Sequence, residues 1–322
     1  MINIFHKIEF WFNNSRPYTI PITLLNWAVI FLYSIGAGGN ILRGLVAYLG
    51  IFLVHLVTNL TDDYFDYIRL SKNDEFISKA KDSKCKYLKN GSASLSELKN
   101  VIFIVFCISF FIGLYLFFVS GFYVAILAFI GFIISLFYSK FSSKGFGDIA
   151  VIIAYGPLMF EGVYYVMCGG FSYRIFVLSI ACGLIVNSIL YSSMILDYDE
   201  DYVSGKSTLC TRLGSKKSAL NAFALLYIFA YIFIIYFSYI EDNYVYCLSF
   251  FVIPLIFDLF NSLKLYNNNK NYLPEVKFWN YPLDNWNVVK NQPTASYFLR
   301  FFYTRNIAVW FLMIISFSII IK

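Results

Sequence analysis

Eight consecutive residues, Asn59-Leu60-Thr61-Asp62-Asp63-Tyr64-Phe65-Asp66, gather carboxylates at the edge of a long apolar run. On a helix Asn59, Asp63 and Asp66 fall at i, i+4 and i+7 and share one face, with His55 on the same stripe. A second stretch, Asp197-Tyr198-Asp199-Glu200-Asp201, places Asp197 and Asp201 at i and i+4. Carboxylates this close repel, and near a bilayer they are poorly solvated. A divalent cation resolves that conflict, and oxygen ligands of this kind suit Mg²⁺, which commonly bridges a few carboxylates to a substrate phosphate. Directly beyond the second stretch lie Lys206 and Arg212, cations suited to a diphosphate. Lys140 is a third cation placed to reach a phosphate. The bland alternative makes each acidic stretch a solvated helix end; two of them on one side of a membrane weigh against it. Gly205-Lys206-Ser207-Thr208 is not a Walker loop, because its first glycine would fall at residue 200, which is Glu.

These residues must be positioned by membrane helices. The chain has 322 residues, 59% hydrophobic and 14% charged, with a mean hydropathy of +0.66. A soluble domain carries about a quarter charged residues. Nine apolar segments, about 18–36, 42–61, 100–118, 121–139, 148–168, 175–196, 218–238, 244–262 and 304–321, approach the length that crosses a bilayer. The expected fold is therefore an all-α bundle of nine transmembrane helices forming a single domain over 1–322. The gaps after the third and seventh segments are so short that each pair must be a hairpin. Six scattered cysteines form no CxxC or Cys/His cluster, which argues against a disulfide framework and a zinc site. No cleavable signal pattern opens the chain.

Charge gives an orientation. Of the 25 Lys and Arg, all but Arg43, Arg174 and Lys322 fall in the N-terminus or in alternate loops, on one side of a nine-span chain. This predicts a cytoplasmic N-terminus and cytoplasmic acidic stretches, with an external C-terminus. The net charge of +6 thus reflects topology and an anionic substrate, with no nucleic acid partner. Two loops are unusual: 67–99 is basic with an Asn90-Gly91 turn, and 263–303 is long and rich in Asn, Tyr and Trp.

Some polar residues have quieter readings. Asp148 opens the fifth segment, where it serves as an N-terminal cap or in function. Glu161 is costly in lipid and should face the bundle interior, in a helix–helix hydrogen bond. His55 is expected to pack or to support a neighbour. A cation transporter is a second reading of the acidic clusters, but it predicts carboxylates near mid-bilayer and broken or repeated helices.

The acidic pair resembles the two Asp-rich motifs of the UbiA superfamily of intramembrane prenyltransferases, Asn-xxx-Asp-xx(x)-Asp and Asp-xxx-Asp. The spacing around Asn59, Asp63 and Asp66 looks most like the 1,4-dihydroxy-2-naphthoate polyprenyltransferase branch of menaquinone synthesis. Ser15-Arg16-Pro17-Tyr18-Thr19-Ile20-Pro21, Gly145-Phe146-Gly147-Asp148 and Gly205-Lys206-Ser207-Thr208-Leu209 with Arg212-Leu213-Gly214 resemble other motifs of that branch. The likeness spans roughly residues 15–240. It departs at Ser193-Met194-Ile195-Leu196, where the branch carries Asn-Asn-x-Arg, and after the first motif, where Lys86 or Lys89 stands in for an Arg. The resemblance implies Mg²⁺ held by Asp63, Asp66, Asp197 and Asp201 with Asn59. It implies a polyprenyl diphosphate bound with help from Lys140, Lys206 and Arg212, and an aromatic acceptor. Other acceptors of the superfamily are 4-hydroxybenzoate, homogentisate and a glyceryl phosphate lipid.

Overall fold

The computed structural model describes residues 4–70 and 85–321. Among them nine helices are long and apolar enough to cross a membrane: Pro17–Gly36, Ile41–Ile68, Leu95–Ser120, Tyr123–Ser143, Gly147–Cys168, Tyr173–Leu196, Lys216–Ile240, Tyr244–Asn268 and Ala295–Ile320. No strand occurs among the described residues. The protein is an integral, multi-pass helical membrane protein. A short helix, Ile4–Asn14, precedes the first span.

The sixth helix is the axis of the bundle, with 78% of its apolar window buried inside the protein. It packs on the fifth, seventh and ninth helices, and the ninth packs on the first. Small residues allow this closeness. A Cβ on Gly156 of the fifth helix would lie 2.7 Å from the Ser179 carbonyl, and one on Gly183 would lie 2.8 Å from the Ile152 carbonyl. Both positions therefore require glycine. Near this contact, at Ala154–Leu158, the fifth helix widens into a π-turn that contains Pro157. The third and fourth helices form a hairpin closed at Gly121, and they pack on the second.

The observed boundaries correct the expected ones. The second helix does not stop at the first acidic stretch but continues through it to Leu70. Nothing there breaks a helix, and Arg16 pairs with two of its carboxylates. Loop 263–303 is shorter than expected, because the eighth helix runs to Asn268 and the ninth begins at Ala295. Arg300 and Arg305 lie inside the ninth helix and are buried. Arg300 donates to the Ser262, Ser296 and Tyr272 carbonyls, so its charge is dispersed over protein rather than lipid. Asn90-Gly91 does turn, with Ser92 N–H donating to Asn90 Oδ1 at 3.0 Å. Lys72, Lys79, Lys81 and Lys84 lie outside the described residues.

Candidate active site

Both acidic stretches line one cavity of about 2050 Å³. Its polar end holds Asp62, Asp63 and Asp66 from the second helix and Asp197, Glu200 and Asp201 from the end of the sixth. From there it follows the second helix inward past His55 and Ile51 to Ala47. Leu116 and Val124 of the hairpin and Val163 of the fifth helix form apolar wall. Ala47 is about 24 Å from Asp63 along the helix axis, at 1.5 Å per residue.

The first stretch is held by Arg16, whose guanidinium donates to Asp62 Oδ2 at 3.2 Å and to Asp63 Oδ1. Arg16 sits in a left-handed backbone conformation, φ 60°, at the turn from the N-terminal helix into the first span. Asp63 and Asp66 are 3% and 5% exposed, so their charges depend on partners rather than bulk water. Asn59 lines the cavity and spends its amide N–H on the Ser15 carbonyl at 2.9 Å. A small apolar cluster of Leu60, Cys85, Tyr87 and Leu98, with Phe10 and Trp11 packed on it, braces this end of the helix.

The second stretch begins at Asp197, the C-cap of the sixth helix, and continues in the short helix Tyr198–Val203. Tyr297 of the ninth helix donates its hydroxyl to Asp197 Oδ2 at 3.3 Å. Gly205, with φ +70°, reverses the chain, so Lys206 Nζ comes within 3.4 Å of Asp201 Oδ1. Asp199 is not part of the cavity lining; its Oδ2 lies 2.7 Å from Lys216 Nζ and 3.2 Å from Lys270 Nζ. Burial would raise the Asp199 carboxyl, but the two ammonium groups outweigh it and hold the group below the usual carboxylate range.

Of the three candidate diphosphate cations, only Lys206 lines the cavity. Lys140 lies outside it, over the rings of Phe137 and Phe65 at 5.1 and 5.9 Å. Arg212 joins two loops: it donates to Ser207 Oγ at 2.8 Å and to the Lys144 carbonyl, and it covers the Phe146 ring. Lys86, Lys270 and Arg305 also line the cavity, as do Arg16 and Tyr297. Of this set the sequence had pointed to Arg16, through the Ser15-Arg16-Pro17 motif, and to Lys86, in place of the Arg after the first motif. Asp148 is not a helix cap, since Phe146 holds that position; it accepts a 3.0 Å hydrogen bond from Asn187 of the sixth helix. Glu161 does join two helices, accepting from the Ser172 N–H at the start of the sixth.

Among the described residues, no group of three or more His, Cys, Asp or Glu side chains is placed to hold a metal unaided. The donor set nonetheless fits a hard cation that shares its ligands with a phosphate. Six carboxylates line the cavity against five cationic side chains, Arg16, Lys86, Lys206, Lys270 and Arg305. Adding a diphosphate to this near-balance leaves a negative excess that divalent cations would neutralise.

Residues 22–281 match the model of the UbiA prenyltransferase family. The chain is 26% identical over 239 residues to a 1,4-dihydroxy-2-naphthoate octaprenyltransferase of Haemophilus influenzae, covering 70% of this chain and 75% of that one. It is 25% identical over 223 residues to the Escherichia coli protein of the same name, covering 65% and 70%. The apo structure of a UbiA homolog from Aeropyrum pernix superposes with a TM-score of 0.60 at 16% identity, over 93% of this chain and 97% of that one. That likeness supports the fold alone. A family match over most of the chain, on a nine-helix bundle that superposes on a UbiA fold, has one meaning: this protein belongs to the UbiA family and is a membrane-embedded prenyltransferase.

Proposed function

We propose that the protein transfers a polyprenyl group from its diphosphate to an aromatic acceptor, 1,4-dihydroxy-2-naphthoate, in menaquinone biosynthesis. The observation that carries this reading is that both acidic stretches share one cavity, acidic and basic at one end and apolar along its length. The acceptor is carried over from the two named bacterial relatives. Family membership sets the transporter reading aside.

Asp63, Asp66, Asp197 and Asp201, with Asn59, would hold Mg²⁺ against the diphosphate. The metal, when bound, supplies positive charge to the leaving oxygens. Lys206 stands beside Asp201 and adds a fixed cation to the same end. Arg16 orients the first acidic stretch, and Tyr297 orients Asp197. The apolar groove takes the prenyl tail, worth about 0.8 kcal/mol per CH₂ relative to water, and its Phe rings keep water from the allylic carbon. Because tail burial is unselective, selectivity belongs to the polar end. Lys140 and Arg212 reach a phosphate only if their present contacts are given up. By the distribution of Lys and Arg, the acidic end faces the cytoplasm.

Membranes carrying the protein, given geranylgeranyl diphosphate and a panel of aromatic acids, test the reading by mass spectrometry. A prenylated, decarboxylated naphthoquinol is expected. Prenylated 4-hydroxybenzoate or homogentisate alone would move the acceptor, and no prenylated aromatic at all would overturn the proposal.

A further inference from the structure

The loop between the eighth and ninth helices, residues 269–294, is tied to both of them by polar groups. Arg300, fully buried in the ninth helix, donates to the Tyr272 carbonyl at 3.2 Å and to the Ser262 carbonyl of the eighth at 2.9 Å. Asp258 of the eighth helix accepts from Lys277 at 2.9 Å and Trp279 at 3.4 Å in the loop, and from Tyr303 of the ninth at 2.9 Å. Asn306 donates to the Asn280 and Pro282 carbonyls. A loop held in this way is a fixed wall, and Lys270, Asn271, Gln292 and Thr294 bring it to the cavity.

Aromatic rings continue that wall. Tyr297 and Phe301, at i and i+4 on one face of the ninth helix, both line the cavity. Tyr297 also reaches Asp197, so the wall begins at the second acidic stretch. The hairpin that borders the tail groove packs on the second helix, whereas the ninth helix packs on the first, sixth and eighth. The tail groove and the aromatic wall therefore stand on different flanks of the acidic end.

Lys270 supplies the charge of this wall. Its one carboxylate partner, Asp199, is shared with Lys216. One carboxylate between two ammonium groups leaves a positive charge in excess, and of the two only Lys270 lines the cavity. Pairs between part-exposed side chains are weak, so Lys270 turns to an anion in the cavity at little cost while Lys216 keeps Asp199 satisfied. Arg16, Lys206 and Arg305 already meet other carboxylates. Lys86 lies between Cys85 and Tyr87, which pack with Leu60 at the first acidic stretch. Residues two apart on a helix project to nearly opposite sides, so Lys270, on the Asp199 side of the short helix Tyr198–Val203, is set off from Asp201 and the diphosphate.

We propose that this wall is the acceptor subsite: the aromatic ring lies against Tyr297 and Phe301, and Lys270 receives the acceptor carboxylate. The proposal rests on the aromatic-prenylation reading above. Ring-on-ring contact orients the acceptor, and the ammonium–carboxylate bond selects aromatic acids over neutral phenols. Lys270 is thus a specificity-determining residue that touches the substrate away from the carbon that reacts.

Competition measures this. Full-length protein in liposomes transfers a geranylgeranyl group to the aromatic acid it prenylates, in the presence of 1-hydroxy-2-naphthoate or of 1-naphthol, which differ only by the carboxylate. With wild type the acid should inhibit at a concentration about tenfold or more below that of the phenol, the size of one charge-assisted contact. Lys270→Gln should weaken the acid about tenfold, move 1-naphthol less than about twofold and leave KM for geranylgeranyl diphosphate within about twofold. Phe301→Leu, which keeps an apolar side chain but loses the ring, should weaken both compounds alike, by about threefold. Equal inhibition of wild type by both compounds, an unchanged preference in Lys270→Gln, a matching rise in KM for the diphosphate, or no change for either compound in Phe301→Leu would overturn the proposal. Wild-type protein that prenylates no aromatic acid would overturn the aromatic reading itself, a result visible before any variant is made.

Discussion

Arg16 and Asp63 lie 47 residues apart in the chain and are joined by a partly buried ion pair in which the carboxylate is the buried member. The pair places a fixed cation against a carboxylate of the proposed metal site. Breaking a buried pair by removing one partner typically costs about 3–5 kcal/mol, because the remaining charge stays buried. Arg16→Ala should therefore lower the thermal stability of the purified protein by several degrees. Added Mg²⁺ should restore more of that loss in the variant than it gains in wild type. Thermal scans with and without Mg²⁺ check this, and equal Mg²⁺ effects on both would show that the metal does not meet Asp62 and Asp63.

Asp63→Asn and Asp197→Asn remove one charge each with almost no change of shape. Each should slow prenyl transfer by about 10²–10³-fold, the usual loss for one preorganised electrostatic partner. Asp242→Asn, in the turn between the seventh and eighth helices, should be silent. Rates for the three variants at matched expression decide the matter, and a loss shared by all three would point to folding.

Removal of divalent metal tests the acidic pair as a unit. Chelation should abolish transfer, and Mg²⁺ should restore it. Full turnover in metal-free membranes would show that the cations of the cavity suffice.

Lys206 and Arg212 occupy one motif, yet only Lys206 lines the cavity. Lys206→Ala should raise KM for the diphosphate or lower kcat by about tenfold or more, as loss of a charge-assisted contact does. Arg212→Ala gives up exposed contacts to Ser207 and Lys144, worth under about 1 kcal/mol, and should change the rate by less than about fivefold. Steady-state kinetics of the two variants separate them.

Sidedness is checked by labelling. In a cysteine-depleted background, Cys placed at Ser94 should react only from the cytoplasm and Cys placed at Asp242 only from outside. Both positions are exposed, at opposite ends of the bundle. Reaction of both from one side would break the topology.

The spans were legible because a helix must present about 20 apolar residues to lipid, a signal that survives without any alignment. Their ends were less so. Arg300 and Arg305 read as loop residues by hydropathy, yet they are buried in the ninth helix because carbonyl groups and Asp284 receive their charge. The acidic face of Asn59, Asp63 and Asp66 followed from helical spacing alone. Its partner Arg16 did not, since nothing local links residues so far apart. Arg212 shows the limit of sequence spacing: its nearness to Lys206 in the chain said nothing about direction, and its guanidinium meets Ser207 Oγ and the Lys144 carbonyl outside the cavity lining.

The third and fourth helices have only 6% and 11% of their apolar windows buried inside the protein. One wall of the groove is thus a hairpin whose outer faces are covered by acyl chains rather than by neighbouring helices. Micelles press on such a surface less uniformly than a bilayer does. Extraction should therefore loosen this hairpin before it disturbs the sixth helix, because segments with few internal contacts open first. A preparation can then look intact by overall helicity and still have lost its grip on the tail. Choice of amphiphile is for this enzyme a choice about its substrate-binding wall.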